Sequence, residues 1–136
     1  MRHILVSILL FLSAAFPALA QDQRNAGIET TIQNQFNAFM ADDVGTAFSF
    51  ASPTIQGIFG TAENFGAMVK NGYPMVWRPG SVKYLGLRTV SGRQFQKVAV
   101  TDQAGALHLL EYEMIPAGDG WVIGGVQLLK EPDVGA

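Results

Sequence analysis

Hydrophobic and polar positions divide this chain into two halves with different periods. From Gly27 to Met40 the apolar residues Ile28, Ile32, Phe36, Phe39 and Met40 recur every three to four positions, while Asn34, Gln35 and Asn37 fill the polar side. That spacing predicts an α-helix with one buried face. Asp42 and Asp43 are favoured caps for a next short helix over Val44, Ala47, Phe48 and Ala51. Ser52-Pro53 reads as cap plus first helical position of a single turn through Ile58, stopped by Gly60. Thr61 then caps a helix with the apolar face Ala62, Phe65, Met68 and Val69, ended by Asn71-Gly72.

After Tyr73-Pro74 the helical period disappears. Runs of about ten residues separated by turn dipeptides predict antiparallel strands at Ser81–Val90, Gln94–Thr101, Ala106–Ile115 and Trp121–Leu129. The turns are Ser91-Gly92, Gln103-Ala104-Gly105 and Ala117-Gly118-Asp119-Gly120. A brief extended piece at Met75–Arg78 is expected as an added edge strand before Pro79-Gly80. Helices first and a meander second predict an α+β domain: three N-terminal helices packed on a curved antiparallel sheet of about four strands.

The first twenty residues carry a different pattern. Arg2 and His3 precede the apolar run Ile4–Phe16, and Ala18-Leu19-Ala20 offers a small-x-small cleavage site. The run is shorter than the roughly 20 residues that span a bilayer, so it reads as a secretory signal removed after Ala20. Residues 21–136 are then one exported domain in the periplasm or outside the cell, with 131–136 a frayed tail and no membrane span after cleavage. Loss of Arg2 leaves 8 basic and 11 acidic residues, a net charge of −3. With no run of Lys or Arg to track phosphates, nucleic acid is excluded as an expected partner. Without a cysteine in the chain, stability must come from packing rather than disulfides.

The string ADDVGTAFSFASPTIQGIFGTAENF, the following GYPMVWRP, the later YLGL, Tyr112-Glu113-Met114 and Gly120-Trp121-Val122-Ile123 together resemble a family of short exported bacterial proteins known as a domain of unknown function. The resemblance spans nearly the whole chain after the signal. In element order alone the chain is also similar to the cone-shaped superfamily of nuclear transport factor two, SnoaL-like cyclases and ketosteroid isomerase. That likeness implies a cone-shaped, SnoaL-like fold, which hosts enzymes, binders and dimerisation modules alike.

No catalytic residue is assigned. No G-x-S-x-G elbow is present, and Gly57, Gly60 and Gly66 lack the Lys-Ser/Thr of a phosphate loop. His108 is the one histidine after the signal, so no metal and no cofactor is expected. It shares a strand face with Leu110, Tyr112 and Met114, which reads as inward. A weak alternative has His108 moving a proton while Tyr112 or Tyr84 stabilises an enolate, as a small isomerase, cyclase or dehydratase would. Glu111 and Glu113 fall on the opposite face and read as an exposed stripe opposite Lys97 or Arg88. Gly124-Gly125 inside the last strand reads as a sharp bend.

The aromatic inventory gives the strongest hint of a ligand. Six of nine Phe residues lie in the helical half, and Tyr73, Trp77, Tyr84 and Tyr112 lie at or beyond its junction with the sheet. A concave sheet closed by such helices predicts an apolar small-molecule pocket. Its expected ligand-binding residues are Tyr73, Trp77, Arg78, Tyr84, His108 and Tyr112, with Arg78 able to grip a carboxylate. A homodimer formed through the sheet is the remaining expectation.

Overall fold

The computed structural model describes residues 24–130, and both the expected signal and the expected frayed tail lie outside this range. Five helical segments come first: α1 (Ala26–Met40), α2 (Val44–Ser49), α3 (Pro53–Phe59), α4 (Ala62–Gly72) and α5 (Pro74–Trp77). Four strands follow: β1 (Pro79–Val90), β2 (Arg93–Asp102), β3 (Leu107–Ala117) and β4 (Gly120–Leu129). They form one antiparallel meander in the order β1-β2-β3-β4. The expected α+β class, with helices against a four-stranded antiparallel sheet, is what the structure shows.

The helix starts follow from local chemistry. Asn25, Asp43, Ser52 and Thr61 each accept a backbone N–H from the first turn of α1, α2, α3 and α4, satisfying a donor that no intrahelical carbonyl can reach. Pro53 and Pro74 sit at helix starts, where the missing N–H costs nothing. Gly60, with φ of 76°, ends α3. Asp43 is therefore a cap, as its sequence position suggested, but Asp42 has another task described below.

The segment Met75–Arg78 departs from its expected extended form. Pro74–Trp77 is a helical turn, closed by Trp77 N–H donating to Tyr73 O at 3.0 Å and Arg78 N–H donating to Pro74 O at 3.0 Å. Met75 and Val76 are buried against the sheet, so tertiary packing overrides the strand preference of a β-branched and aromatic run. With α5 and the separate turn α3 included, the helical segments among the described residues number five, where three were expected.

The core lies between the helices and one face of the sheet. Ile28, Ile32, Phe36 and Phe39 of α1 meet Val98, Val100, Leu110, Tyr112 and Met114, all essentially sealed from solvent. Each such side chain contributes about 1.5–3 kcal/mol of transfer free energy. Aromatic rings knit the helical layer together: Phe65 packs against Phe39, Phe48 and Phe59 at centroid distances of 5.9, 5.3 and 5.7 Å.

Two irregularities curve the sheet. The β1–β2 register slips between Tyr84 and Leu87, and Gln96 fills the gap by donating Nε2–H to the Leu85 carbonyl at 2.8 Å. A polar residue in an inward position of β2 is thereby explained, since a bulge frees a backbone acceptor that must be paired. The β3–β4 register slips where Gly124 and Gly125 oppose Glu113, which is the bend read from the sequence. Next to it, Ser52 N–H donates to Ile123 O and Ile123 N–H donates to Phe50 O, both at 2.8 Å. This short parallel bridge fastens the α2–α3 junction to the edge of β4.

Candidate functional site

An apolar cavity of about 280 Å³ lies between the helices and the last strand. Gln35 and Phe39 of α1 form its floor, and Ala51 with Ile55 and Phe59 of α3 forms one wall. Phe65, Met68 and Val69 of α4 form a second wall, continued by Tyr73 and Val76. Ile123, Gly125 and Val126 of β4 close it from the sheet side. Helix α3 touches the core only through the half-buried Ile55 and Phe59. That helix has no buried residue of its own, while Phe39, Ala51, Phe65, Val69, Val76 and Ile123 behind it are buried.

The polar content of these walls is small and specific. Gln35 is 4% exposed, and its Nε2–H donates to the Ala47 carbonyl at 3.1 Å. Tyr73 is half-buried and brings the one hydroxyl among the lining side chains. Among the described residues, no carboxylate, imidazole, ammonium or guanidinium lines the cavity. The arrangement can therefore bind and dehydrate an apolar molecule, but it offers no charged group to stabilise a developing ion.

Of the six residues expected at a site, Tyr73 alone lines this cavity. Trp77 packs on Phe39 with ring centroids 5.6 Å apart, and the Arg78 guanidinium lies 4.8 Å over the Trp77 ring. Arg78 donates Nη1–H to the carbonyls of Phe39 at 2.6 Å and Trp77 at 2.9 Å, and Nη2–H to Asp42. It closes the C-terminal end of α1, where carbonyls lack helical partners. This is also the task of Asp42, which has a positive φ of 57°.

The two sheet tyrosines are occupied or sealed. Tyr84 donates its hydroxyl to Gln33 Oε1 at 2.9 Å, tying β1 to α1. Burial, with the Glu29 charge adding to it, pushes the Tyr84 phenol up from its ordinary value. Tyr112 is 1% exposed and packs against Phe36. Its hydroxyl and Gln96 Oε1 are the buried side-chain polar atoms without a partner among the described residues. Burial first, and the neighbouring Tyr84 and Tyr73 next, push the Tyr112 phenol up as well. Both hydroxyls stay protonated across the physiological range.

His108 shares the inward side of β3 with Leu110, Tyr112 and Met114, but it stands at the strand's end and is half-buried rather than core-lining. Its Nε2 meets Asp102 Oδ2 at 2.8 Å. Asp102 Oδ1 accepts the N–H groups of Ala104 and Ala106, both at 2.9 Å. His108 and these turn amides hold the Asp102 carboxyl below its ordinary range. The pair pins the β2–β3 turn, and no tyrosine hydroxyl is among its hydrogen-bond partners.

Glu111 and Glu113 do face basic residues across the outer side of the sheet. Arg88 takes Glu111 with both Nε and Nη2, and Arg93 Nη1 lies 2.8 Å from Glu113 Oε1. Glu111 is however buried, at 5% exposure, beneath an arginine that also stacks on Phe95. A second, open concavity of about 380 Å³ lies near this ion pair, lined by Ser52, Thr54, Arg93 and Glu113 among others. Its two charges neutralise each other, and it lies outside the buried aromatic layer. Among the described residues no three metal-ligating side chains converge, and no helix is long and apolar enough to cross a membrane.

Gln35 is the site residue the sequence reading placed on the wrong side of α1. It lies seven positions after Ile28 and four before Phe39, and so falls in the middle of the apolar stripe. That position, rather than its residue type, is the signal that could have found it.

No curated protein and no solved structure matches the chain. Residues 21–136 match the model of a family described as Domain of unknown function (DUF4864), and over that length the chain belongs to this family.

Proposed function

We propose that this protein is a small-molecule-binding domain that takes an apolar ligand into the cavity between α1, α3, α4 and β4, and that binding rather than turnover is its chemical task. The observation that carries this reading is the 280 Å³ space walled by Phe39, Ile55, Phe59, Phe65, Met68 and Val126, with no charged side chain among its lining residues. A cavity of about 150 Å³ with similar walls holds benzene, so this one accommodates a molecule of bicyclic size. Apolar probes of that size should raise the melting temperature. Ile55→Trp places a larger ring in the mouth, on a helix without buried residues, and should weaken probe binding at least tenfold while the circular dichroism spectrum is unchanged. Unchanged probe affinity in this variant would locate binding elsewhere.

The domain is further proposed to act outside the cytoplasm after loss of residues 1–20. What supports this is the layout of the first twenty residues: Arg2 and His3, the apolar run Ile4–Phe16 and the small-x-small Ala18-Leu19-Ala20. Mass determination of the protein from its native host tests it, with Gln21 expected at the N-terminus. Kinship with SnoaL-like folds is proposed from the shared order of helices followed by a meander alone, and superposition of an experimental structure on such folds tests that.

A further inference from the structure

We infer that the occupant of the cavity is a neutral molecule with an apolar body and one hydroxyl or N–H group, whose hydrogen is accepted by the Gln35 side-chain carbonyl. This rests on the binding role proposed above and specifies its ligand. A glutamine in the middle of a buried helical stripe is costly unless both ends of its amide are used. One end has a partner, because Nε2–H donates to the Ala47 carbonyl. A backbone carbonyl can only accept, so the amide orientation is fixed and Oε1 points away from Ala47.

Among the described residues no donor reaches that Oε1, yet it is not among the polar atoms sealed from solvent. Since Gln35 is 4% exposed overall and lines the cavity, the cavity is where a donor can approach it. The Tyr73 hydroxyl also lines the cavity and can give or accept a second bond. Anions are disfavoured, because a carboxylate would meet a carbonyl oxygen and apolar walls, with no cation among the described lining residues. An ammonium would equally lack an anionic partner. What remains is an alcohol, phenol or amide on a ring system or short chain.

Titration of the mature protein at pH 7 with naphthalene, 2-naphthol, 2-methoxynaphthalene and 2-naphthoate separates the readings. We expect 2-naphthol to bind most tightly and 2-naphthoate at least tenfold more weakly. Gln35→Met should lower 2-naphthol affinity about three- to tenfold, as for one hydrogen bond, and leave naphthalene within twofold. Comparison of 2-naphthol with 2-methoxynaphthalene on the unaltered protein gives the same readout should that variant not fold. Equal affinities for 2-naphthol, its methyl ether and naphthalene would overturn the donor inference while leaving the apolar-binding reading intact. Tight binding of 2-naphthoate would overturn neutrality, and failure of all four probes would overturn both readings.

Discussion

Glu111 shows how one residue's neighbours set its energetics. Its carboxylate is buried on the outer side of the sheet, held by two hydrogen bonds from Arg88 and lying close to Lys97. Arg88 lowers its pKa from the ordinary glutamate range, and burial only partly opposes this. A carboxyl with a lowered folded pKa adds stability above its unfolded value and loses it as pH falls through the folded one. Asp102, held low by His108 and the turn amides, acts in the same direction. Stability should therefore decline as pH falls below about 4. Arg88→Ala removes both the hydrogen-bond partner and part of the cover of Glu111, so stability at pH 7 should fall. Protonation of Glu111 makes the pairing irrelevant, so the deficit against the unaltered protein should shrink between pH 7 and pH 3. Urea denaturation across that range checks this, and a deficit independent of pH would refute it. That Glu111 would face Lys97 or Arg88 was legible from strand alternation, and the structure gives Arg88. The burial of Glu111 was not, because alternation says which face a residue occupies and not that an arginine will lie across it.

At the scale of elements, α2 and α4 approach more closely than most side chains would allow. A Cβ built on Gly66 would sit 2.5 Å from Val44 Cγ1 and 3.2 Å from Val44 Cβ. Glycine within a helix costs roughly 1 kcal/mol relative to alanine, so the residue is explained by this contact rather than by propensity. Gly66→Ala should gain that propensity and lose more through displacement of α2, for a net destabilisation of about 1–2 kcal/mol. Combined with Val44→Ala, which clears the space, it should lose most of that penalty in a double-mutant cycle. Additive effects would mean that the two helices do not clash there. Most elements were readable because their ends carry their own chemistry: Asp43, Ser52 and Thr61 accept the first-turn amides, and Gly60 stops α3. The turn α5 was not, because Met75-Val76-Trp77 has strand-like composition and becomes helical through burial under α1 and against the sheet. Arg78 was misplaced for a related reason. Its guanidinium serves the end of α1, 39 residues earlier in the chain, and such a long-range partner leaves no local trace.

The whole molecule is unevenly consolidated, and this bears on how a ligand would enter. The sheet, α1, α2, α4 and α5 share a continuous core, whereas α3 adds only the half-buried Ile55 and Phe59 to its margin. Its start is fastened by the Ser52–Ile123 bond and by Gln56, whose Nε2–H donates to the carbonyls of Phe48 and Ala51, both at 3.1 Å. Its far end is fastened by Asn64 Nδ2–H donating to Phe59 O at 3.1 Å. An element whose side chains are all at least partly exposed opens locally at low free-energy cost, and here opening would move Ile55 and Phe59 off the cavity they line. A ligand in the cavity would supply the missing contacts and stabilise the closed arrangement by mass action. Amide exchange across residues 53–59 should accordingly be fast in the free protein. At saturating 2-naphthol it should slow about tenfold or more, as should amides that exchange only through global unfolding, because that state also lacks the site. Amides at the Ser91-Gly92 turn, far from the cavity lining, should change little. No slowing in α3 despite measurable binding would mean that the molecule enters by another route and that this helix is not the door.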